Sequence, residues 1–191
     1  MTREQRDVAK MLNFGIVYGM SDFGLAWRMK MPRDEAQQFI EAYFKRYAQV
    51  QRYVIETKAF AAEQGYVETL LGRRRYIADM TSANRSIRGA AERMAINMPI
   101  QGTAADIMKI AMRRVYDRLT KSRLGARVLL QVHDELVAEV PRSEVDEVAA
   151  LLTDEMGNAY SLDVPVVVDV RVGANWDEMT RMKVKAAAGA S

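Results

Sequence analysis

Apolar residues change from a helical spacing to a strand-like alternation about two-thirds of the way along the chain. Up to Lys121 they recur every three or four positions, as in amphipathic helices. Beyond Lys121, the short runs ARVLLQ and ELVAEV are separated by polar residues and predict an antiparallel hairpin. We therefore expect helices packed on one face of a small antiparallel sheet, which is an α+β fold.

Glycine and proline mark the boundaries of the first predicted elements. A helix is predicted at 2–18, where Gly19 follows, and a long helix is predicted at 32–65, between a proline and a glycine. The segment YVETLLGRRRYI, at 66–77, predicts a short strand or a hairpin with Gly72 at its turn.

The remaining elements follow the same logic. A helical pattern covers 82–98 and resumes at 104–121. Pro99 lies between these stretches and is expected to interrupt or kink the helix, because proline lacks the N–H that a helix interior uses. An apolar stripe predicts a helix at 143–160, and VPVVVDVRVG, at 164–173, predicts a third strand.

Composition excludes several classes of protein. Apolar residues make up 49% of the chain, enough to bury a core, so the chain is not a disordered tail. It contains no cysteine, which excludes a disulfide framework and a thiolate metal site. The sequence shows neither an apolar run of about 18 residues nor a signal-peptide core, so no membrane association is expected.

The net charge of +3 hides a strong asymmetry along the chain. Residues 72–127 carry 13 basic and 4 acidic side chains, a net of +9. Residues 128–180 carry 2 basic and 12 acidic side chains, a net of −10. The first segment favours binding to a polyanion and the second favours binding to metal ions. Charge alone leaves open the alternative that both segments are solvated surface.

Acidic residues lie where the two apolar runs of the predicted hairpin meet. The segment LLQVHDELVAEV places His133, Asp134 and Glu135 there, and His133 is the only histidine of the chain. Hairpin turns favour Asn-Gly or Asp-Gly, which accept a positive φ, so His-Asp-Glu has no conformational advantage in a turn. Two adjacent carboxylates repel each other, and Mg²⁺ would relieve that repulsion. An ordinary polar turn is the alternative.

Cations and an aromatic residue lie one turn apart on the first predicted helix. Arg6, Lys10 and Phe14 are spaced by four residues and share one side of the helix. Two cations so placed can clamp a polyphosphate, and an aromatic ring can stack on a base. Gly15 and Gly19 weaken the helix, which suggests a close approach or a hinge. An amphipathic helix with solvated cations remains the alternative.

Four segments together resemble the family A DNA polymerases, the DNA polymerase I family of bacteria. RDVAKMLNFGIVYG is similar to the family's fingers-helix signature, and QVHDE is similar to its palm carboxylate signature. Between them, ETLLGRRRYI and AAERMAINMPIQGTAADIMKIAM resemble family segments in the same order. The resemblance runs from Arg6 to Glu178 and implies the fingers and part of the palm of a right-hand polymerase. It places the fingers helices and the following long helix at 1–71, and the palm part with the metal-site hairpin at 72–191.

The resemblance implies nucleotide-binding roles for the first helix. Arg6 and Lys10 would contact the triphosphate of an incoming deoxynucleotide, and Lys10 would also act in catalysis. Phe14 would pack against the sugar and base, and Phe rather than Tyr there goes, in this family, with discrimination against dideoxynucleotides. Tyr18 would close the pocket beside the template base, and Gly19 would let the template pass.

The resemblance also implies metal-binding and DNA-binding roles elsewhere. Asp134 would bind the catalytic Mg²⁺ pair, the adjacent catalytic residue Glu135 would act without binding the metal directly, and His133 would meet the primer end. The other implied DNA contacts read the minor groove or hold backbone phosphates. They are Arg93, Asn97 and Gln101 for the groove, and Arg73, Arg74 and Arg75 for the phosphates.

The family's second metal-binding carboxylate is missing from this sequence. Family members carry it in a segment like D-x-S-x-x-E before the fingers, and no Asp here matches, including Asp22 in DFGLA. The thumb and any exonuclease domain are also expected to be absent. We therefore predict part of a template-directed DNA polymerase, inactive alone, whose partners are primer–template DNA and deoxynucleoside triphosphates.

Two other interpretations stay open. The chain could be a non-catalytic primer–template-binding module with the same fold and the same site residues, or an unrelated α+β protein. A binding module and part of an enzyme differ in one respect. In the enzyme, a second chain that carries the missing N-terminal part supplies the absent Asp. The resemblance implies a bacterial cytoplasmic protein associated with the nucleoid.

Overall fold

The fold is known from a computed structural model that describes residues 2–184. It divides into two compact units, an N-terminal unit (Met1–Thr103) and a C-terminal unit (Ala104–Ser191). Helices and small antiparallel hairpins make up both, which confirms the predicted α+β class. The functional boundary at residues 71 and 72 stays a prediction. Of the helices described, none is both long and apolar enough to cross a membrane.

The N-terminal unit contains four complete helices, one hairpin and the start of a long fifth helix. Its elements are α1 (Arg3–Val17), α2 (Asp22–Met29), α3 (Arg33–Arg46), α4 (Ala48–Gln64), β1 (Tyr66–Glu68), β2 (Arg74–Tyr76), a 3-10 turn (Ala78–Thr81) and the first part of α5 (Arg85–Lys121).

The C-terminal unit contains the rest of α5, two hairpins and one further helix. Its other elements are β3 (Arg127–Val132), β4 (Glu135–Glu139), a 3-10 turn (Arg142–Glu144), α6 (Val145–Gly157), β5 (Val170–Val172) and β6 (Thr180–Met182).

Helix α1 confirms the first predicted helix, and capping groups close both of its ends. The Thr2 side chain accepts a hydrogen bond from the Gln5 amide, and the Gln5 side chain accepts one from the Thr2 amide. At the other end, the Gly19 and Met20 amides donate to the carbonyls of Ile16 and Gly15, at 3.0 and 2.8 Å. This pair of bonds is a Schellman motif.

The predicted long helix at 32–65 is wrong as a single element. Tyr47 has φ −116° and ψ 59°, so α3 ends there and α4 begins at Ala48. The Tyr47 ring lies 4.8 Å from the Tyr43 ring. The apolar spacing did not reveal the break, because one non-helical residue hardly changes the helical period. The stop at Gly65 is confirmed, with φ +75°.

Of the two outcomes predicted at Pro99, an interruption is wrong, because α5 continues through it, and a kink stays a prediction. Proline removes one backbone hydrogen bond, but the turn before it buries Ala95, Ile96 and Met98 at 7% exposure or less. That burial offsets the lost bond. These residues belong to the core of the N-terminal unit, whose largest cluster is Ala61, Val67, Ile77, Met80, Ala91, Ala95 and Met98.

The strands form three separate two-stranded hairpins, β1–β2, β3–β4 and β5–β6. Of the short strand or hairpin predicted at 66–77, the structure shows the hairpin, and the predicted hairpin at β3–β4 is confirmed. The predicted third strand is correct only at β5, which pairs with β6 and not with β3 or β4. Residues 164–169 are not in a strand because no neighbouring segment supplies a ladder of hydrogen bonds.

Candidate functional site

One exposed side of α1 carries the predicted nucleotide-binding residues. Arg6, Lys10 and Phe14 are all exposed, and the helix is anchored by Ile16, which is 1% exposed. The rings of Phe14 and Tyr18 stack at 6.1 Å between centroids, with 17° between their planes. The structure thus brings two cations and an aromatic pair together on successive turns.

Two glycines at the end of α1 have packing reasons that the sequence did not reveal. A Cβ added at Gly15 would lie 2.2 Å from the Met20 Cε atom. Gly19 has φ +85°, and its added Cβ would lie 3.2 Å from Arg93 Cγ. The close approaches suspected from the sequence are therefore made by the chain's own side chains, and Gly19 lies beside Arg93 as part of one surface.

Tyr53 of α4 holds α5 next to the surface that includes Gly19 and Arg93. Sequence analysis did not identify Tyr53 as a site residue. Its hydroxyl donates to the Ile96 carbonyl at 2.8 Å. Burial raises the pKa of Tyr53, and this effect outweighs the lowering by a hydrogen bond with Thr57. Only an aromatic residue at helical spacing marks Tyr53 in the sequence, and that signal does not distinguish it from ordinary core residues.

The predicted groove-reading residues lie one turn apart on α5. Arg93 and Gln101 are exposed, and Asn97 is partly buried. The Asn97 Oδ1 atom is buried and accepts no hydrogen bond within residues 2–184. A buried acceptor without a donor is unfavourable, so a donor from a bound molecule would stabilise this position.

The three predicted phosphate contacts lie on and next to β2. Arg73, Arg74 and Arg75 are all exposed. Glu68 Oε2 accepts a hydrogen bond from Arg74 Nε at 3.2 Å, and this bond raises the pKa of Arg74. Consecutive residues of a strand point to opposite faces, so Arg74 and Arg75 cannot serve the same face.

The acidic turn of β3–β4 has a strained backbone at its first residue. Glu135 pairs with Val132, which leaves His133 and Asp134 as a two-residue turn. His133 has φ +53°, where hairpin turns of this length normally place Gly, Asn or Asp. A non-glycine residue there costs about 1–3 kcal/mol, and such strain clusters at functional sites.

The turn carboxylates suit Mg²⁺ in chemistry but do not complete a site. Asp134 and Glu135 are exposed and offer oxygen ligands, which Mg²⁺ prefers. They lie at a largely apolar groove of about 700 Å³, which Asp169 also lines. Between residues 2 and 184 no three His, Cys, Asp or Glu side chains are grouped to hold a metal. Asp134 and Glu135 alone therefore do not make a complete metal site within that part of the chain.

The predicted site residues are distributed over both units. Those on α1, on β1–β2 and at positions 93–101 of α5 belong to the N-terminal unit, and His133, Asp134 and Glu135 belong to the C-terminal unit. No predicted group is divided between the two units.

Comparison with known proteins gives one consistent result. A sequence model described as DNA polymerase family A matches residues 1–178. DNA polymerase I of Caldicellulosiruptor bescii is 52% identical over 178 residues, covering 93% of this chain and 21% of that protein. DNA polymerase I of Pseudomonas aeruginosa is 55% identical over 175 residues, covering 92% of this chain and 19% of that protein. The chain thus spans about a fifth of the length of these relatives.

A solved structure is similar throughout most of the chain. It is the POL domain of Pol1 from M. smegmatis in complex with DNA primer-template and dNTP. The TM-score is 0.83 at 46% sequence identity, and the match covers 86% of this chain and 29% of that one.

Proposed function

Because the chain belongs to DNA polymerase family A, we propose that it is the part of a template-directed DNA polymerase that binds the incoming nucleotide and contributes one metal-binding carboxylate. The observation that carries the proposal is the exposed side of α1, where Arg6 and Lys10 precede the stacked pair Phe14 and Tyr18. Its substrates would be deoxynucleoside triphosphates and a DNA primer paired to a template. The similar structure from M. smegmatis holds both kinds of molecule, which supports this choice.

The α1 residues would hold the nucleotide through charge and stacking. Arg6 can form paired hydrogen bonds with phosphate oxygens, and Lys10 adds a point charge one turn further on. Phe14 offers a ring face to the sugar and base. Phosphoryl transfer relies mainly on such positioning and charge neutralisation, so these side chains contribute to the rate as well as to binding.

The acidic turn would supply this chain's share of the metal centre. Asp134 would bind Mg²⁺, Glu135 would act beside it, and His133 would contact the primer end. Two bound metal ions would activate the primer 3′-hydroxyl and stabilise the leaving pyrophosphate. The φ of +53° at His133 supports a functional turn, because a glycine would remove the strain if only a turn were needed.

The primer–template would lie against α5 and the β1–β2 hairpin. Arg93, Asn97 and Gln101 are four residues apart and follow one side of α5. Side-chain N–H groups on this side of α5 can donate to the minor-groove acceptors that every base pair offers. The β1–β2 hairpin would add phosphate contacts. We place the protein in the bacterial cytoplasm, with the DNA on which it acts.

A non-catalytic DNA-binding module is the second candidate. It is favoured by one observation, namely that no three-residue metal group exists among the residues described. Both candidates use the same DNA contacts, and they differ in whether another polypeptide supplies the missing carboxylate.

Primer extension separates the two candidates. The chain alone should not extend a primer with Mg²⁺ and all four nucleotides, because one carboxylate of the metal pair is absent. Addition of a polypeptide carrying the thumb and the D-x-S-x-x-E segment should restore extension. Templated extension by the pure chain would contradict the first expectation. A stable complex without activity would favour the binding module.

Binding to duplex DNA should be weak, independent of sequence and strongly dependent on salt. Residues 72–127 carry a net charge of +9, and neutralised phosphates release counterions. The log–log slope of affinity against salt should be about −0.9 for each phosphate contact. Fluorescence anisotropy over a salt series measures it, with two unrelated duplexes as the sequence control. A flat response to salt would exclude phosphate contacts.

A further inference from the structure

The β1–β2 hairpin gives its adjacent arginines different surroundings. We propose that Arg75 contacts the DNA backbone, whereas Arg74 fastens the hairpin to α4 and makes no DNA contact. This inference rests on the proposed DNA-binding function and decides between the two adjacent arginines of β2.

Arg74 is occupied on two sides by its own hairpin. Its Nε atom donates to Glu68 Oε2 at 3.2 Å, and the two residues are directly paired in the ladder. Its guanidinium carbon lies 4.5 Å from the centroid of the Tyr66 ring, a cation–π distance. Arg74, Glu68 and Tyr66 therefore form one interacting group on one face of the hairpin.

Aromatic contacts extend this group to the preceding helix. Tyr66 meets Phe60 of α4 edge to face at 5.6 Å, and it meets Tyr76 of β2 at 5.9 Å. Edge-to-face pairs at these distances stabilise packing beyond the area that they bury. The Arg74 guanidinium thus covers the ring that joins the hairpin to α4, which makes it part of the hairpin's attachment.

Arg74 is a poor candidate for a phosphate contact, because its existing contacts compete with one. The Nε–H of Arg74 is used by Glu68 and one face of the guanidinium lies over the Tyr66 ring, so a phosphate would have to bind through the Nη atoms or displace these contacts. In either case, the Glu68 carboxylate would lie close to a second anion, and like charges at such a distance repel each other. The ion pair is about half exposed, so salt screens it, but this local competition remains.

Arg75 lies on the opposite face, where no acid competes for it. It is directly paired with Val67, and paired residues of a ladder point to the same face. Val67 is 1% exposed, so this face adjoins the core, whereas the Arg75 side chain is exposed. Through residue 184, Arg75 has no carboxylate partner and no aromatic ring beneath it. The Arg75 guanidinium is therefore available to a phosphate, and the pairing of Arg75 with Val67 fixes the face of the hairpin from which it extends.

The test compares single substitutions in duplex-DNA binding over a salt series, using the complete chain. Arg75→Gln should lower the steepness of the log–log slope by about 0.9, the value for one phosphate contact. Arg74→Gln should change the slope no more than Arg113→Gln does. Arg113 is a matched control, because it also pairs with an acid, Asp117 at 2.9 Å, and lies near a ring, Tyr116 at 5.9 Å.

Hydrogen exchange supplies a second measurement that a phosphate contact would not change. Without DNA, Arg74→Gln should accelerate amide exchange in β1 and β2, whereas Arg75→Gln should leave that exchange at the wild-type rate. If Arg74→Gln unfolds the hairpin, Arg74→Met replaces it in the binding assay. Methionine removes the charge but keeps an unbranched side chain over the Tyr66 ring.

Three results would overturn the inference. A slope change for Arg74→Met as large as that for Arg75→Gln would make both residues phosphate contacts. An unchanged slope for Arg75→Gln would contradict the phosphate contact assigned to Arg75. A wild-type chain whose binding does not respond to salt would overturn the proposed DNA-binding function as well, which distinguishes that failure from the other two.

Discussion

Asp134→Ala is expected to abolish primer extension in a complex of this chain with a polypeptide that supplies the missing carboxylate segment. The substitution removes the metal ligand that this chain contributes, and metal stabilisation of the reaction is worth several kcal/mol. At 1.36 kcal/mol for each factor of ten, the rate should fall by about a thousandfold or more. Single-turnover primer extension measures it, because that assay isolates the chemical step from product release.

Asp163→Ala is the matched control for this loss. Asp163 is an exposed carboxylate of the same unit and is not among the predicted site residues, so its removal changes the charge equally. We expect it to extend primers at the wild-type rate. Asp134→Ala should still bind primer–template, because it removes no phosphate contact. Wild-type turnover by Asp134→Ala would show that the acidic hairpin is only a turn.

Lys10→Ala is expected to have the second-largest effect, on nucleotide use. It removes a cation from the exposed side of α1, where the triphosphate would lie. Loss of an electrostatic donor to a reacting group costs about 2–4 kcal/mol of transition-state stabilisation. In kcat/KM for nucleotide, this corresponds to roughly 30- to 900-fold. Steady-state extension at varied nucleotide concentration, in the reconstituted complex, measures the change.

A lysine elsewhere in the same unit controls for charge. Lys45 of α3 is exposed, and Lys45→Ala should leave kcat/KM near the wild-type value. Lys10→Arg keeps the charge and should recover part of the loss, although its planar geometry differs from that of an ammonium group. Equal effects of Lys10→Ala and Lys45→Ala would contradict a triphosphate contact at Lys10. With Asp134→Ala, these variants separate the metal chemistry from the binding of the triphosphate.

Local signals in the sequence were sufficient for several elements. Helix α1 was predicted almost to its ends, because a capping threonine and a glycine with positive φ act within a few residues of the helix that they close. The hairpins at β1–β2 and β3–β4 were predicted for the same reason, since strand alternation and turn residues are adjacent in the chain. Membership of the polymerase family rested on four ordered segments, and the matching family model confirms it.

Elements that depend on distant partners were predicted poorly. Helix α2 also went unpredicted, although its signals are local: Ser21 caps it, and Asp22 in its first turn pairs with Arg33 at the start of α3. Of the strand expected at 164–173, only the three residues of β5 form a strand, because a strand exists only where another segment pairs with it. Helix α5 continues through Pro99 because core packing outweighs one lost hydrogen bond.

By itself, the sequence predicted the family and the fold class, and both are confirmed. It also proposed the residues of the candidate site, whose roles stay predictions. Only the tertiary structure decided the surroundings of those residues: within residues 2–184 it showed the buried Asn97 acceptor without a donor, the strained His133 backbone and the opposite faces of Arg74 and Arg75. The physical reason is that spacing along a chain records local propensity. Burial, pairing register and hydrogen-bond satisfaction depend on which distant segments meet, and three-dimensional packing decides that.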